Sequence, residues 1–209
     1  EDELFDYDKG IYVAGVVHDT WRANNPSLDS RGDTFSNYTR RGRTAEKEAT
    51  FQYFENENLV VNQNIGVRVN GNYTRAYQLK SLRLYARSDY DGNNTLNYPF
   101  FGTTDNTLYK RLILRNSGND FKSTMFRDAL IGELVKHLRF DSQDYQPAVT
   151  YINGEYFGLL NIRERLDNDY FEVQWSKDGM YYEPIGSVEG NGTTPMGADY
   201  EYVHNYPEE

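Results

Sequence analysis

A chain of 209 residues with 38 % apolar and 26 % charged side chains is long enough to bury a core, and its balance excludes a disordered polymer. The net charge of −10, from 32 acidic against 22 basic residues, argues against a nucleic-acid surface. The absence of cysteine excludes disulfides and thiolate metal sites, and no apolar run reaches the roughly 18 residues of a membrane span.

Residues 1–47 read as a loop-rich extension in which Gly10-Ile-Tyr-Val-Ala-Gly15 makes a short strand. Arg40, Arg41 and Arg43 read as a solvated basic loop. Alternating residues predict strands over Glu48–Phe54 and Val60–Val69, joined by a turn at Glu55–Asn58. Gly71, between Asn70 and Asn72, supplies a tight turn into a further strand from Ala76 to Ala86. On that strand Lys80 shares a face with Leu82, Leu84 and Ala86, while Leu79, Ser81, Arg83, Tyr85 and Arg87 share the other. Asp89-Tyr-Asp-Gly-Asn-Asn94 lacks the spacing of a calcium loop and reads as a turn. Lys110–Arg115 is another strand.

One amphipathic helix is predicted over about 121–138, with Phe126, Leu130, Leu134 and Leu138 as its apolar stripe and Asp120 or Ser123 as its cap. A hairpin follows, Val149–Ile152 and Glu155–Ile162, turned by Asn153-Gly154. The segment 176–209 is glycine-bearing and polar, and irregular structure is expected there. The order of elements gives an α+β fold with a mostly antiparallel sheet.

A lysine on an apolar strand face needs an explanation. A buried ammonium is costly unless paired, so Lys80 either meets a carboxylate or phosphate or snorkels its head to water. Arg75, Lys80, Arg83 and Arg87 also form a basic cluster in an acidic chain, suited to an anionic ligand.

Five stretches together resemble the spore coat protein H (CotH) kinase family. They are Gly66-Val-Arg-Val-Asn-Gly-Asn-Tyr-Thr-Arg75, Lys80-Ser-Leu-Arg-Leu-Tyr85, Leu114-Arg-Asn-Ser-Gly-Asn-Asp120, Met125-Phe-Arg-Asp-Ala-Leu130, and Tyr151-Ile-Asn-Gly-Glu-Tyr-Phe-Gly158 continued by Asn161-Ile-Arg-Glu-Arg-Leu-Asp167. The resemblance implies a protein-kinase-like N-lobe over residues 48–175, in a secreted or surface-exposed bacterial phosphotransferase that acts on surface or spore-coat proteins with ATP and magnesium or manganese. It implies that Lys80 and the neighbouring Arg75 hold the nucleotide's phosphates. Asp128 or Glu133 would orient Lys80, the backbone of Gly71, Asn72 and Thr74 would approach the nucleotide, and Glu164 would lie near the adenosine. The family's catalytic and metal-binding aspartates belong to a second lobe. Nothing after Asp167 reads as one, Asp199 and His204 being isolated, so no catalytic or metal residue is expected here and this chain alone is expected not to transfer phosphate.

A second reading is a carbohydrate-binding or scaffold module at a cell surface, which the 19 tyrosines would suit. A glycosidase using Glu155 and Glu164 is set aside, because nine positions along one strand separate them by roughly 30 Å, against the roughly 10 Å or less that such pairs require.

Overall fold

The computed structural model describes residues 2–28, 35–102, 106–138, 142–167 and 169–170. The chain divides into two units, Glu1–Glu164 and Arg165–Glu209. In the second, the Arg165 guanidinium pairs with the Asp167 carboxylate at 3.2 Å, and the Tyr170 amide donates to Asp167 Oδ1 at 3.3 Å. The expected polar exit over 176–209, with Asp199 and His204, lies outside the described residues.

The first unit is built on one antiparallel sheet of six strands: β1 (Lys47–Glu55), β2 (Asn58–Asn70), β3 (Ser81–Tyr85), β6 (Arg111–Arg115), β7 (Tyr145–Ile152) and β8 (Glu155–Glu164). Their spatial order is β1-β2-β3-β6-β8-β7. Two short strands, β4 (Leu96–Asn97) and β5 (Leu108–Tyr109), form a separate ladder. Both predicted hairpins are present and are turned by residues with positive φ. Asn56 and Glu57 have φ 48° and 68°, and Asn153 and Gly154 have φ 52° and 83°. Backbone twist of that hand matches the twist of paired strands.

Alternation sorts the strand residues onto two faces. One carries Val67 and Val69 from β2, Leu82 and Leu84 from β3, Leu112 and Leu114 from β6, and Leu160 and Ile162 from β8, all buried in one core. The other carries a register row across four strands, in which Arg68 faces Arg83, Arg83 faces Ile113, and Ile113 faces Arg163.

The first 47 residues differ from the expected extension by joining this unit's core through Ile11 and Tyr38. Gly10–Gly15 forms turns rather than a strand and leads into α2 (Val16–Asn24), which follows the single turn α1 (Asp2–Phe5). Asn37 anchors the segment by donating its amide to Ala14 O at 2.8 Å. The expected strand from Ala76 begins only at Ser81, because a 3-10 turn over Tyr73–Ala76 occupies the connection. The calcium-like stretch is the turn α3 (Ser88–Asp91), closed by Gly92 at φ 86°.

The predicted helix is shorter than its periodicity suggests. α4 spans Arg127–Val135 with Phe126, not Asp120 or Ser123, at its N-cap; Asp120, in the preceding 3-10 turn, accepts the Arg127 amide through Oδ2 at 3.1 Å. Its apolar stripe is not buried: Leu130 is 44 % and Leu134 64 % exposed, while Ala129 is buried. The sheet face beneath α4 is charged, and the helix meets it through the Asp128 carboxylate, which contacts Arg115 and Arg163.

Candidate functional site

Lys80 lies immediately before β3, on the apolar face, and is 5 % exposed. Its Nζ donates to Tyr77 O at 2.6 Å and sits 4.5 Å from the Tyr38 ring centroid and 5.0 Å from that of Tyr12. The ring faces attract the cation electrostatically and replace part of its lost hydration. Burial still pushes the ammonium down to a pKa of about 8. Tyr12 also accepts the Lys80 amide through its hydroxyl at 2.8 Å, and burial pushes that phenol up to about 12. Of the two readings left open, the head is buried rather than carried to water, and among the described residues it has no carboxylate partner.

Arg75 is likewise buried and satisfied by carbonyls. It donates through Nη1 to Tyr38 O at 2.9 Å and Arg40 O at 3.2 Å, and through Nε to Gly71 O at 2.5 Å. Desolvation lowers its pKa to about 10. Gly71 has φ 105°, and a Cβ there would stand 2.2 Å from Thr74 Oγ1, so the turn requires glycine. Asn72 Oδ1 accepts from Arg41 at 3.0 Å. The structure thus brings Gly71, Thr74 and Arg75 together, with Lys80 joined to them through Tyr38.

The expected carboxylates stand elsewhere. Asp128 accepts from Arg115 Nε at 2.6 Å and lies 3.8 Å from Arg163 Nη1. Glu133 is about half exposed and pairs with Lys136 at 2.8 Å. Neither orients Lys80, because α4 is anchored on the opposite side of the sheet. Glu164 is buried at the end of β8, where its Oε2 accepts the Asp144 amide at 3.3 Å and its carbonyl accepts from Gln143 at 2.7 Å.

The loop 116–125 fixes that placement. Asn116 is fully buried and accepts through Oδ1 from Ser81 at 2.8 Å and from the Gly118 amide at 3.0 Å, while its Nδ2 donates to Leu79 O at 2.6 Å. Asn161 on β8 then donates to Ser117 Oγ at 3.0 Å and to Met125 O at 2.9 Å. Two buried asparagines therefore tie the start of α4 to the charged face.

Sequence reading missed how many arginines share that face: Arg68, Arg83, Arg111, Arg115 and Arg163 occupy alternate strand positions. At one end Glu46, its side chain fully enclosed, accepts from Arg68 Nε at 2.8 Å, Arg87 Nε at 2.7 Å and Tyr90 Oη at 2.8 Å, and also from Arg43. Burial raises this carboxyl's pKa, but the hydrogen bonds from Arg87, Tyr90 and Arg68 outweigh it and hold the group below its ordinary value. The Arg68 and Arg87 guanidiniums lie over the Tyr85 ring at 4.3 and 4.9 Å. Beside Tyr85 an open, polar hollow of about 230 Å³ is lined by Arg87, Ser88, Asp89, Lys110 and Arg111.

Farther along, Arg163 is 4 % exposed. Its Nε and Nη1 have no hydrogen-bond acceptor, and neither has the buried Nε of Arg83. Burial lowers the Arg163 pKa; Asp128 opposes that effect and Arg115 adds to it. Chemically this face presents planar, multidentate donors in partial desolvation, the setting that favours phosphate or carboxylate oxygens. Among the described residues no group of three or more His, Cys, Asp or Glu side chains could hold a metal, and no helix is long and apolar enough to cross a membrane.

A family model described as CotH kinase protein matches residues 67–207, more than half of the chain. No curated protein matches it.

Proposed function

Because the chain belongs to the CotH kinase protein family, we propose that it supplies the nucleotide-binding half of a secreted, ATP-dependent phosphotransferase acting on proteins at a bacterial or spore surface. The observation that carries this reading is the contact of Asp128 on α4 with Arg115 and Arg163 on the sheet. A helix carboxylate meeting strand cations over an antiparallel sheet is the working arrangement of a kinase nucleotide lobe, with arginines in place of the expected lysine. Within residues 47–164, the chain order of paired strands, helix α4 and a closing hairpin supports such a lobe, although α2 before it is as long as α4.

The donor set fits a nucleotide's phosphates. Phosphoryl transfer is achieved largely by positioning and by positive charge, and a magnesium or manganese ion, when bound, neutralises the phosphates. No metal-ligand cluster is found among the described residues, so no step is assigned to the ion here. This chain's part is to hold and orient the phosphate chain through guanidinium donors, while the acidic remainder of the surface repels stray anions.

Calorimetric titration of ATP, with and without magnesium, tests the proposal. Saturable binding that adenosine alone does not reproduce is the expected result. Glycan binding together with no response to any nucleotide would instead favour the carbohydrate-facing surface module.

A further inference from the structure

We propose that Arg83 and Arg163, on the α4 side of the sheet, grip the phosphate chain, and that Lys80 on the opposite side serves the fold. This inference rests on the kinase-like reading and assigns its anion site.

Three observations converge on the pair. First, Arg83 and Arg163 stand in one register row with Ile113 between them, so their backbones lie two strand spacings, or roughly 10 Å, apart on one face. Two guanidiniums reaching inward from that separation can share a di- or triphosphate. Second, both have buried donors with no acceptor: Nε of Arg83, whose Nη1 and Nη2 donate to Tyr85 Oη at 3.2 Å and Asn70 Oδ1 at 2.5 Å, and Nε and Nη1 of Arg163, which is 4 % exposed. Native proteins rarely leave such groups unmatched, and a buried donor without a partner costs stability until an acceptor arrives. Third, the nearest carboxylate is engaged elsewhere. Asp128 makes its short contact with Arg115 at 2.6 Å and stands 3.8 Å from Arg163, beyond hydrogen-bond reach. Through its long ion pair with Arg163, Asp128, itself fixed by Arg115, acts as a positioning residue for that arginine.

Lys80 offers the contrary picture. Its ammonium is enclosed by Tyr12, Tyr38 and the Tyr77 carbonyl on the apolar side, and Arg75, which shares Tyr38 with it, is held by backbone carbonyls. The two cations link the N-terminal segment to the β2–β3 connection.

Metal-free titration of inorganic tripolyphosphate, ATP and adenosine into the wild-type chain, Arg83→Gln, Arg163→Gln and Lys80→Gln tests the assignment. Both phosphates are expected to bind the wild type, to weaken at least tenfold in either arginine variant, and to stay within twofold in Lys80→Gln. Loss of ATP binding in Lys80→Gln with Arg83→Gln unchanged would overturn the assignment and leave the kinase-like reading standing. Binding of adenosine but not of tripolyphosphate would do the same. A wild type that binds none of the three would overturn both. If Arg163→Gln does not fold, the arginine Nε resonances of the wild type serve in its place: tripolyphosphate should shift those of Arg83 and Arg163, and unmoved signals would overturn the pair.

Discussion

Leu82 and Leu84 point to one side of β3, and Arg83 and Tyr85 to the other. The same alternation continues through β2, β6 and β8, so one set of strands builds a dry face and a charged one. On the dry face Lys80, unlike Lys47 at the sheet edge with its Glu3 partner, is accommodated by aromatic rings. On the charged face guanidiniums are the rule, and they are managed by two carboxylates, Glu46 at one end and Asp128 at the other. The difference teaches that burial and chemistry separate within one sheet. The leucine side stabilises the fold, while on the arginine side Arg83 Nε and Arg163 Nε and Nη1 are left without a hydrogen-bond acceptor.

The contrast is sharpest in the core. Leu112 is fully buried, and Leu112→Ala is expected to cost about 2–5 kcal/mol in denaturant unfolding. A cost near zero would mean that the dry face is not the stabilising one.

Next in size is the ammonium of Lys80. Its folded pKa is about 8 against an ordinary 10.5, which at 1.36 kcal/mol per pH unit is on the order of 3 kcal/mol. Below pH 8 both states are protonated and the burial cost is present in full. From about 8 to 10.5 the unfolded chain keeps a proton that the folded chain has released, so stability rises with pH. Wild type is therefore expected to gain stability relative to Lys80→Met across that window, measured by unfolding at several pH values. A constant difference between the two proteins would contradict the buried ammonium.

The smallest effect belongs to the stripe of α4. Leu134 is 64 % exposed, so Leu134→Ser should change stability by no more than about 0.5 kcal/mol. A loss comparable to that of Leu112→Ala would place the helix stripe in a core after all.

Much of the sheet was legible in the sequence, because alternation and the Asn153-Gly154 turn are local signals. That Lys80 shares the apolar face was legible for the same reason, whereas whether its head is buried or reaches water was not. Its partners were not, since Tyr12 and Tyr38 lie far off in a segment that reads as loop. The α4 stripe misled because periodicity reports which helix residues share a face, not what that face meets. Arg163 escaped notice because its row with Arg68 and Arg83 exists only once β6 is inserted between β3 and β8. The helix carboxylate was legible as a type of group, but its partner was not, since parity put Lys80 and α4 on opposite sides.

The most direct measurement is a crystal structure of the chain with ATP bound. Phosphate oxygens within hydrogen-bond distance of Arg83 and Arg163, with the Tyr12–Lys80–Tyr38 cluster undisturbed, is the predicted result. Phosphates seated on Lys80 with those tyrosines displaced would contradict it.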